Sequence, residues 1–312
     1  MKKRWLVIVN PNAGNKKAAK DWNHISSLLV NENFDFFDVS TKSRLHAIQL
    51  TKDYIQKDFT NIIVVGGDGT MNEVVNGIFQ QKKYPSTEIT LGMISVGTGN
   101  DWGRMYGIPS KYDDAIATIK KGDVFVQDAG LVEFYESENK LLRYFVNVSG
   151  LGYDALVAKK VNNMKDKGYG GRLAYLLNLF LGLFQYKFHH IKLHVDDLLI
   201  KESIFSMSVG ICMYNGGGMK QLPNAIPDDG LFDLTVIKKI GKAKILRNIK
   251  NLYDGSFIDL PEVLSFRGKT IKIDSTPKIY LETDGESLGH SPITFTMIPK
   301  SIKIIRKINL NI

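Results

Sequence analysis

Residues 62–79 read IIVVGGDGTMNEVVNGIF, and this stretch decides the fold of the N-terminal half of the chain. Four β-rich apolar residues run into a glycine turn, after which apolar residues recur at positions 71, 74, 75 and 78. The first pattern is typical of a buried parallel strand and the second of a helix. Gly66, Gly67 and Gly69 let the backbone turn tightly and approach a ligand without a Cβ in the way.

The start of this helix is suited to a phosphate group. Thr70 is predicted to cap the helix through its hydroxyl, with Glu73 as its reciprocal capping-box partner. The first amides and the positive end of the helix dipole would then point at the turn. Among the residues of this turn, Asp68 does not suit a phosphate by itself, because a carboxylate repels a phosphate unless it holds Mg²⁺ or a proton donor. A glycine turn that serves packing only is the alternative for this motif by itself.

Two further polar turns follow predicted strands. Residues 10–17 read NPNAGNKK after the strand at 5–9, and residues 95–104 read SVGTGNDWGR after the strand at 89–94, with Asp101 as the expected N-cap. Thr41 directly follows the second predicted strand, at about residues 34–40. Each turn alone is consistent with a plain strand–helix connection. Because the carboxyl ends of parallel strands meet at one edge of a sheet, three such turns indicate a single ligand site.

Composition and charge limit the function classes. The chain has 312 residues, enough for two domains with real cores, and its 44% hydrophobic and 23% charged residues are ordinary for a globular protein. The single cysteine, Cys212, excludes a disulfide framework and is expected to be a buried thiol in a reducing cytoplasm. The net charge of +9 favours anionic partners, but no basic motif with interleaved aromatic residues indicates nucleic acid.

Near residues 121–122 the predicted secondary structure changes from alternating strands and helices to mostly consecutive short strands. We expect an α/β domain over 1–122 and an all-β sandwich over 123–312, with a return of about ten C-terminal residues to the first domain left open. Residues 173–184 carry an apolar helical face that either packs on the sheet or contacts lipid. The segment is too short to span a bilayer.

Two carboxylate-rich turns in the second half are candidate sites. Residues 215–233 form a long connection rich in glycine and aspartate, equally consistent with a Mg²⁺ or Ca²⁺ site and with a solvated turn. Residues 281–286 read LETDGE, where Glu286 at a flexible glycine is a weak candidate for a general base.

Taken together, these motifs resemble the bacterial diacylglycerol and sphingosine kinase-type lipid kinases. The resemblance covers nearly the whole chain. The stretches that carry it are 10–14, 66–73, 97–101, 128–130, 144–154, 223–231 and 284–286. NAD kinases and phosphofructokinases share the central turn but not the other motifs. The resemblance implies a NAD kinase- or phosphofructokinase-like nucleotide-binding domain and a C-terminal β-sandwich, with a cleft between them.

The resemblance also implies roles for individual residues. Glu286 would be the general base, and Asp68 would act in a catalytic Mg²⁺–phosphate network. A structural Mg²⁺ would be bound by Asp229 and by the backbone carbonyls of Ile226 and Leu231, with Asp128 reaching it through water. The residues implied for ATP are Asn10, Pro11, Asn12, Ala13, Gly14, Thr41, Gly67, Asp68, Gly69, Thr70, Met71, Asn72, Glu73 and Thr98. Many relatives have a lysine after the first loop glycine, whereas this chain has Asn15, so that role is lost or passes to Lys16 or Lys17.

We therefore expect transfer of the γ-phosphoryl group of ATP to a lipid hydroxyl, of diacylglycerol or a related lipid. Such a reaction needs alignment of the hydroxyl and neutralisation of charge more than covalent chemistry. The alternatives are a kinase of a soluble substrate, of the NAD kinase type, and a catalytically silent lipid- or nucleotide-binding regulator. The expected location is the cytoplasm, with peripheral contact to an anionic inner membrane face, and a homodimer is left open.

Overall fold

The computed structural model describes residues 4–166, 182–183, 186 and 188–307. These residues form two compact units. The first comprises the chain up to Asp128 and from Lys300 onward, and the second comprises Ala129–Pro299. The helix predicted over 173–184 falls outside the described residues except at 182–183.

The first unit alternates strands and helices. Its elements are β1 (Arg4–Val9), α1 (Ala13–Asn31), β2 (Asp35–Ser40), α2 (His46–Ile55), β3 (Asn61–Gly66), α3 (Asp68–Gln80), a 3₁₀ turn (Ser86–Glu88), β4 (Thr90–Ser95), α4 (Asp101–Met105) and α5 (Tyr112–Lys121). The strands pair in parallel in the order β2-β1-β3-β4, and Lys303 and Ile304 of the last strand add a further parallel pairing to β4. This is the predicted α/β fold.

Burial in the first unit follows the strand order. Central strands β1 and β3 are buried along almost their whole length, whereas edge strand β2 is mostly exposed or half-buried. One face of the sheet forms an apolar core with α1 and α5, through residues such as Ile25, Ile63 and Ile116. A strand covered on both faces must be apolar on both, which explains the continuous apolar run at the end of β3.

The second unit is mainly antiparallel. Its elements are β5 (Val124–Glu136, which begins in the first unit), β6 (Asn139–Phe145), β7 (Val148–Gly152), α6 (Tyr153–Asp166), β8 (His189–Val195), β9 (Leu198–Gly210), β10 (Tyr214–Asn215), β11 (Met219–Lys220), β12 (Phe232–Lys238), α7 (Lys242–Asn248), α8 (Asn251–Asp254), a 3₁₀ turn (Ser256–Asp259), β13 (Val263–Gly268), β14 (Thr270–Thr276), β15 (Tyr280–Thr283) and β16 (Glu286–Ile305), which ends in the first unit.

Long strands organise the second unit. The first half of β9 pairs with β8, and its second half pairs with β7 and β12. Strand β14 pairs with β8 on one side and with β16 on the other. Phe145, Phe232 and Phe295 pack against one another in the interior, with ring centroids 5.7 to 6.2 Å apart. The β-domain predicted for the C-terminal half is confirmed as a β-rich unit, which also contains helices α6, α7 and α8.

The last strand is unusually long. Strand β16 has 20 residues and runs without a break through Pro299 and Lys300. Lys300 has a left-handed φ of 45°, which is unusual inside a strand. Its amide donates to the buried Asp128 carboxylate at 2.6 Å. The Asp128 side chain thus satisfies the Lys300 amide, which is the amide at the irregular point of the strand. The two residues are far apart in sequence, so local sequence patterns cannot predict this hydrogen bond.

Candidate active site

Three polar turns of the first unit lie against one another. The turns follow β1, β3 and β4, which are neighbours in the sheet. Asn10, after β1, donates a side-chain hydrogen bond to the Thr70 hydroxyl at 2.9 Å. Gly14 lies against the turn after β4, because a Cβ at Gly14 would come within 2.2 Å of the Val96 carbonyl oxygen. The structure thus brings the predicted turns together.

Close backbone contact also explains the central glycines. A Cβ at Gly97 would lie 2.7 Å from the Cα of Gly67 and 2.7 Å from the Asn100 side-chain oxygen. A Cβ at Gly66 would lie 2.7 Å from the Thr70 hydroxyl. No other residue type fits at these positions without moving the turns apart, since Cβ atoms do not approach other heavy atoms so closely.

The loop after β1 has an unusual backbone. Gly14, Asn15 and Lys16 are all left-handed, with φ of 61°, 58° and 66°. The chain passes from a right-handed residue at Asn12 into this left-handed run, a type of turn that can point successive amides into a concave, anion-binding surface. The Lys17 ammonium donates to the Tyr112 hydroxyl at 2.9 Å and pairs with Asp21 at 3.5 Å. Lys16 is exposed and is the better placed of the two lysines to meet an anion.

Asp68 links two of the turns. Its carboxylate accepts the backbone amide of Asp101 at 3.1 Å and that of Trp102 at 3.0 Å. These are the first amides of α4, so Asp68 caps that helix from another part of the chain. The expected N-cap role of Asp101 is wrong, because Asp101 is already the first helical residue and its carboxylate pairs with Arg104 at 3.7 Å.

The predicted capping box at α3 is also wrong. The helix begins at Asp68 with Gly67 as its N-cap, so Thr70 lies inside the first turn. Glu73 accepts the backbone amides of Leu45 and Ala47 at 2.8 and 3.0 Å, at the start of α2. An extended glycine lets the helix start earlier than the Thr-x-x-Glu spacing indicates, which leaves Glu73 to cap a neighbouring helix instead.

The remaining residues predicted for the nucleotide differ in exposure. Thr41 is buried, and its amide donates to the Val9 carbonyl at 2.8 Å. Thr98 is exposed. Met71 and Asn72 are fully buried within α3, backbone included.

Glu286 follows a tight turn in the second unit. Asp284 and Gly285 connect β15 and β16 with left-handed φ values of 51° and 83°. The Asp284 carboxylate accepts the backbone amides of Val146 and Asn147 at 3.2 and 3.1 Å. Glu286 lies opposite Thr283 in the strand pairing and is half-buried. The turn is therefore held in place by side chains rather than left as a loose loop.

Two buried acids lie in the same unit. Burial raises the pKa of Glu282 to about 8 against the opposing hydrogen bonds from Asn215 and Gly285, and burial raises that of Asp154 to about 6. Gln221 connects them, donating to Asp154 at 3.3 Å and accepting from Asn215 at 3.1 Å. Glu282 was not predicted to be a site residue, since a glutamate near a strand end is ordinarily solvated.

The predicted metal ligands lie in the loop before β12. The Asp229 carboxylate accepts the Leu231 amide at 3.0 Å and pairs with the Arg267 guanidinium, while Ile226 is 43% exposed. In the described ranges no three His, Cys, Asp or Glu side chains are placed to hold a metal. Mg²⁺ usually keeps several waters and is bound through one or two carboxylates. This loop has two, Asp228 and Asp229, and that of Asp229 is paired with Arg267, so the Mg²⁺ site stays a prediction.

Comparisons with known proteins agree with this architecture. Residues 4–132 match the model of the diacylglycerol kinase catalytic domain, and residues 147–306 match that of the YegS C-terminal NAD kinase beta sandwich-like domain. The diacylglycerol kinase of Bacillus subtilis (strain 168) is 30% identical over 307 residues, which are 97% of this chain and 96% of that protein. This chain belongs to the bacterial diacylglycerol kinase family. It is a lipid kinase, as the sequence motifs indicated.

Other relatives have the same organisation. The diacylglycerol kinase of Staphylococcus carnosus is 28% identical to this lipid kinase over 304 residues, covering 97% of this chain and 95% of the relative. A crystal structure described as a candidate diacylglycerol kinase from Bacillus anthracis str. Sterne aligns with a TM-score of 0.79 at 25% identity, covering 99% and 97% of the two chains. In the described part of this lipid kinase, no helix combines the length and the apolar character needed to cross a membrane.

Proposed function

We propose that this lipid kinase transfers the γ-phosphoryl group of ATP to a hydroxyl of diacylglycerol or a related lipid at a membrane surface. The observation that carries the proposal is the contact among the three polar turns of the first unit. They bring the left-handed loop at Gly14 and the first amides of α3 to one edge of a parallel sheet. Backbone amides in such a place suit the phosphates of a nucleotide.

The acceptor side of the reaction would be served by the second unit. Phosphoryl transfer asks the protein to align the hydroxyl and to stabilise charge. We assign the first task to Glu286, which would accept the proton of the lipid hydroxyl as the oxygen attacks the γ-phosphorus. The fixed turn before Glu286 supports this role, because a base acts best from a defined position.

Charge stabilisation would come from the first unit. Amides of the loop after β1 and of the first turn of α3 would donate to phosphate oxygens, and Lys16 is an exposed cation at the same loop. Mg²⁺ bound to the nucleotide would supply further neutralisation of the phosphate charge. Asp68 fits as a single oxygen ligand, although its carboxylate also caps α4.

Contact with a membrane completes the proposal. A lipid substrate resides in a bilayer, and the net charge of +9 favours an anionic surface. We propose a cytoplasmic protein that binds the inner membrane face peripherally. The charge and the lipid substrate class support this location.

The test is transfer of radiolabel from ATP to lipids in mixed micelles, with diacylglycerol, phosphatidylglycerol and a long-chain base as acceptors and NAD as a soluble control. Label in one lipid that falls to a small residual rate with Glu286→Gln supports the acceptor, the nucleotide and the base together. The matched control is Glu133→Gln, because Glu133 pairs with Lys140 on the surface of the same unit and should be dispensable. Label in NAD alone, or a fully active Glu286→Gln protein, would contradict the proposal.

A further inference from the structure

Glu282 is a buried acid tied to the turn that carries Glu286. Only 2% of the residue is exposed. One carboxylate oxygen accepts the Gly285 backbone amide at 2.9 Å, and the other accepts the Asn215 side-chain amide at 2.9 Å. Gly285 is directly bonded to Glu286. Glu282 therefore holds the backbone immediately before the proposed base.

The turn needs support on both sides. Asp284 and Gly285 are both left-handed, a conformation that the non-glycine residue adopts only at some cost. The Asp284 carboxylate holds the turn to the amides of Val146 and Asn147, and Glu282 holds it from β15. Removing either carboxylate would take away hydrogen bonds that hold the turn, so the turn could shift.

The sheet provides space for Glu282. Its partner in β7 is Gly150, and a Cβ at Gly150 would lie 2.8 Å from the Glu282 carboxylate. A larger residue there would displace the carboxylate, first from its hydrogen bond with Asn215 and with it from the Gly285 amide. Strand interiors rarely contain glycine unless a close approach demands it.

The carboxylate also connects to a second loop. Asn215, which donates to Glu282, donates as well to Gln221, and Gln221 donates to Asp154. In the part of the chain that the structure describes, neither Glu282 nor Asp154 has a cationic partner among its hydrogen bonds or ion pairs. Uncharged groups thus hold both acids, since the Ser208 hydroxyl also donates to Asp154 at 3.4 Å, and the network ties the β10–β11 hairpin to the turn.

We infer that Glu282 is a positioning residue for Glu286: it fixes the backbone of the Asp284–Gly285 turn and thereby the direction of the Glu286 carboxylate. This inference rests on the general-base role proposed above. Glu282 acts on the acceptor side of the reaction, and nucleotide binding in the first unit does not depend on it. Misplacement of a catalytic group by about 1 Å lowers turnover about 100-fold.

The first experiment compares Glu282→Ala and Glu282→Gln for kcat and for the KM of ATP, with circular dichroism to confirm folding. We expect Glu282→Ala to lower kcat about 100-fold while the KM for ATP stays within about twofold. Glu282→Gln keeps an oxygen for the Gly285 amide and should recover to within about tenfold of wild-type kcat. The control is Asp196→Asn, because Asp196 accepts the amides of Lys269 and Thr270 in another turn of the same unit. It should leave kcat unchanged.

A double-mutant cycle separates positioning from general damage. If Glu282 acts only through Glu286, Glu282→Ala should cause no further loss in the Glu286→Gln background, although it lowers turnover in wild type. An equal loss in both backgrounds, or a wild-type kcat for folded Glu282→Ala, would overturn the inference. If Glu282→Ala does not fold, Glu282→Gln takes its place in the cycle with the same criterion. If the Glu286→Gln protein alone keeps full activity, the base role of Glu286 fails. This result differs from those that would overturn the positioning role of Glu282.

Discussion

Replacing Glu282 with glutamine should change how the stability of this lipid kinase depends on pH. Burial raises the pKa of the Glu282 carboxyl from 4.5 to about 8, with smaller contributions of the same sign from Asp154 and Asp284. An unfolded glutamate releases its proton near pH 4.5, so between pH 4.5 and 8 the folded protein holds a proton that the unfolded chain has lost. Raising the pH through this window therefore favours unfolding, because the unfolded state binds fewer protons.

The magnitude follows from the two pKa values. At ~1.4 kcal/mol per pKa unit, a rise from 4.5 to about 8 corresponds to a loss of ~5 kcal/mol in the free energy of unfolding. The loss is absent below pH 4.5 and complete above pH 8. Glutamine has no proton to release, but its amide would face one of two donors, at a cost of ~1–2 kcal/mol at every pH. The stability curves should cross: wild type is the more stable protein near pH 5, and Glu282→Gln is the more stable by ~3 kcal/mol near pH 9.

The assay is urea unfolding of the full chain between pH 5 and 9, followed by far-ultraviolet circular dichroism. The control is Glu262→Gln, since the hydrogen bond from Lys244 lowers the pKa of Glu262 and its contribution is already constant above pH 5. Asp154 remains in both proteins, so its own titration contributes to both curves, and only its coupling to Glu282 differs between them. Parallel stability curves for wild type and Glu282→Gln would refute the reasoning, because they would mean that Glu282 is ionised throughout.

Three further predictions concern other contacts. Glu73→Gln should lower the free energy of unfolding by ~1 kcal/mol in urea titrations, because the charged cap of α2 is lost, and an unchanged midpoint would contradict that role. Gly97→Ala should weaken ATP binding about tenfold or more by calorimetry, since the added Cβ would push the polar turns apart. The control is Gly241→Ala, whose added Cβ would point into open space, and this variant should bind ATP normally. Arg267→Gln should lower the melting temperature, with a cost of ~1–2 kcal/mol, because it removes the partner of Asp229 and of the buried Asp233. Recovery in millimolar Mg²⁺ would favour a metal site in this loop, and no recovery would count against one.

Much of the first unit was readable from local pattern. Continuous apolar runs predicted β1 and β3, and the glycine-rich turns after the strands predicted a common ligand edge, because parallel strands bring their carboxyl ends together. The contacts of Gly14 with Val96 and of Gly67 with Gly97 confirm that the turns meet. The assignment of individual residues to nucleotide binding stays a prediction.

The errors share one physical cause. Asp68, Glu73 and Asp128 each accept backbone amides from parts of the chain that lie distant in sequence. A carboxylate has the same local neighbours whether it caps its own helix or another one, so spacing rules assign it to the nearest helix. The capping box at Thr70 was predicted wrongly for this reason.

The sequence by itself determined the α/β and β-sandwich order of the chain and the glycine turns, since these depend on periodicity and on residue types that only certain backbones accept. The family followed from the resemblance of its motifs. Only the tertiary structure showed that Glu282 is enclosed and hydrogen-bonded to the turn before Glu286. Burial and hydrogen bonding of a carboxylate depend on strands β7 and β15 being paired and on the missing side chain at Gly150. Residues 150 and 282 become neighbours only when the sheet forms.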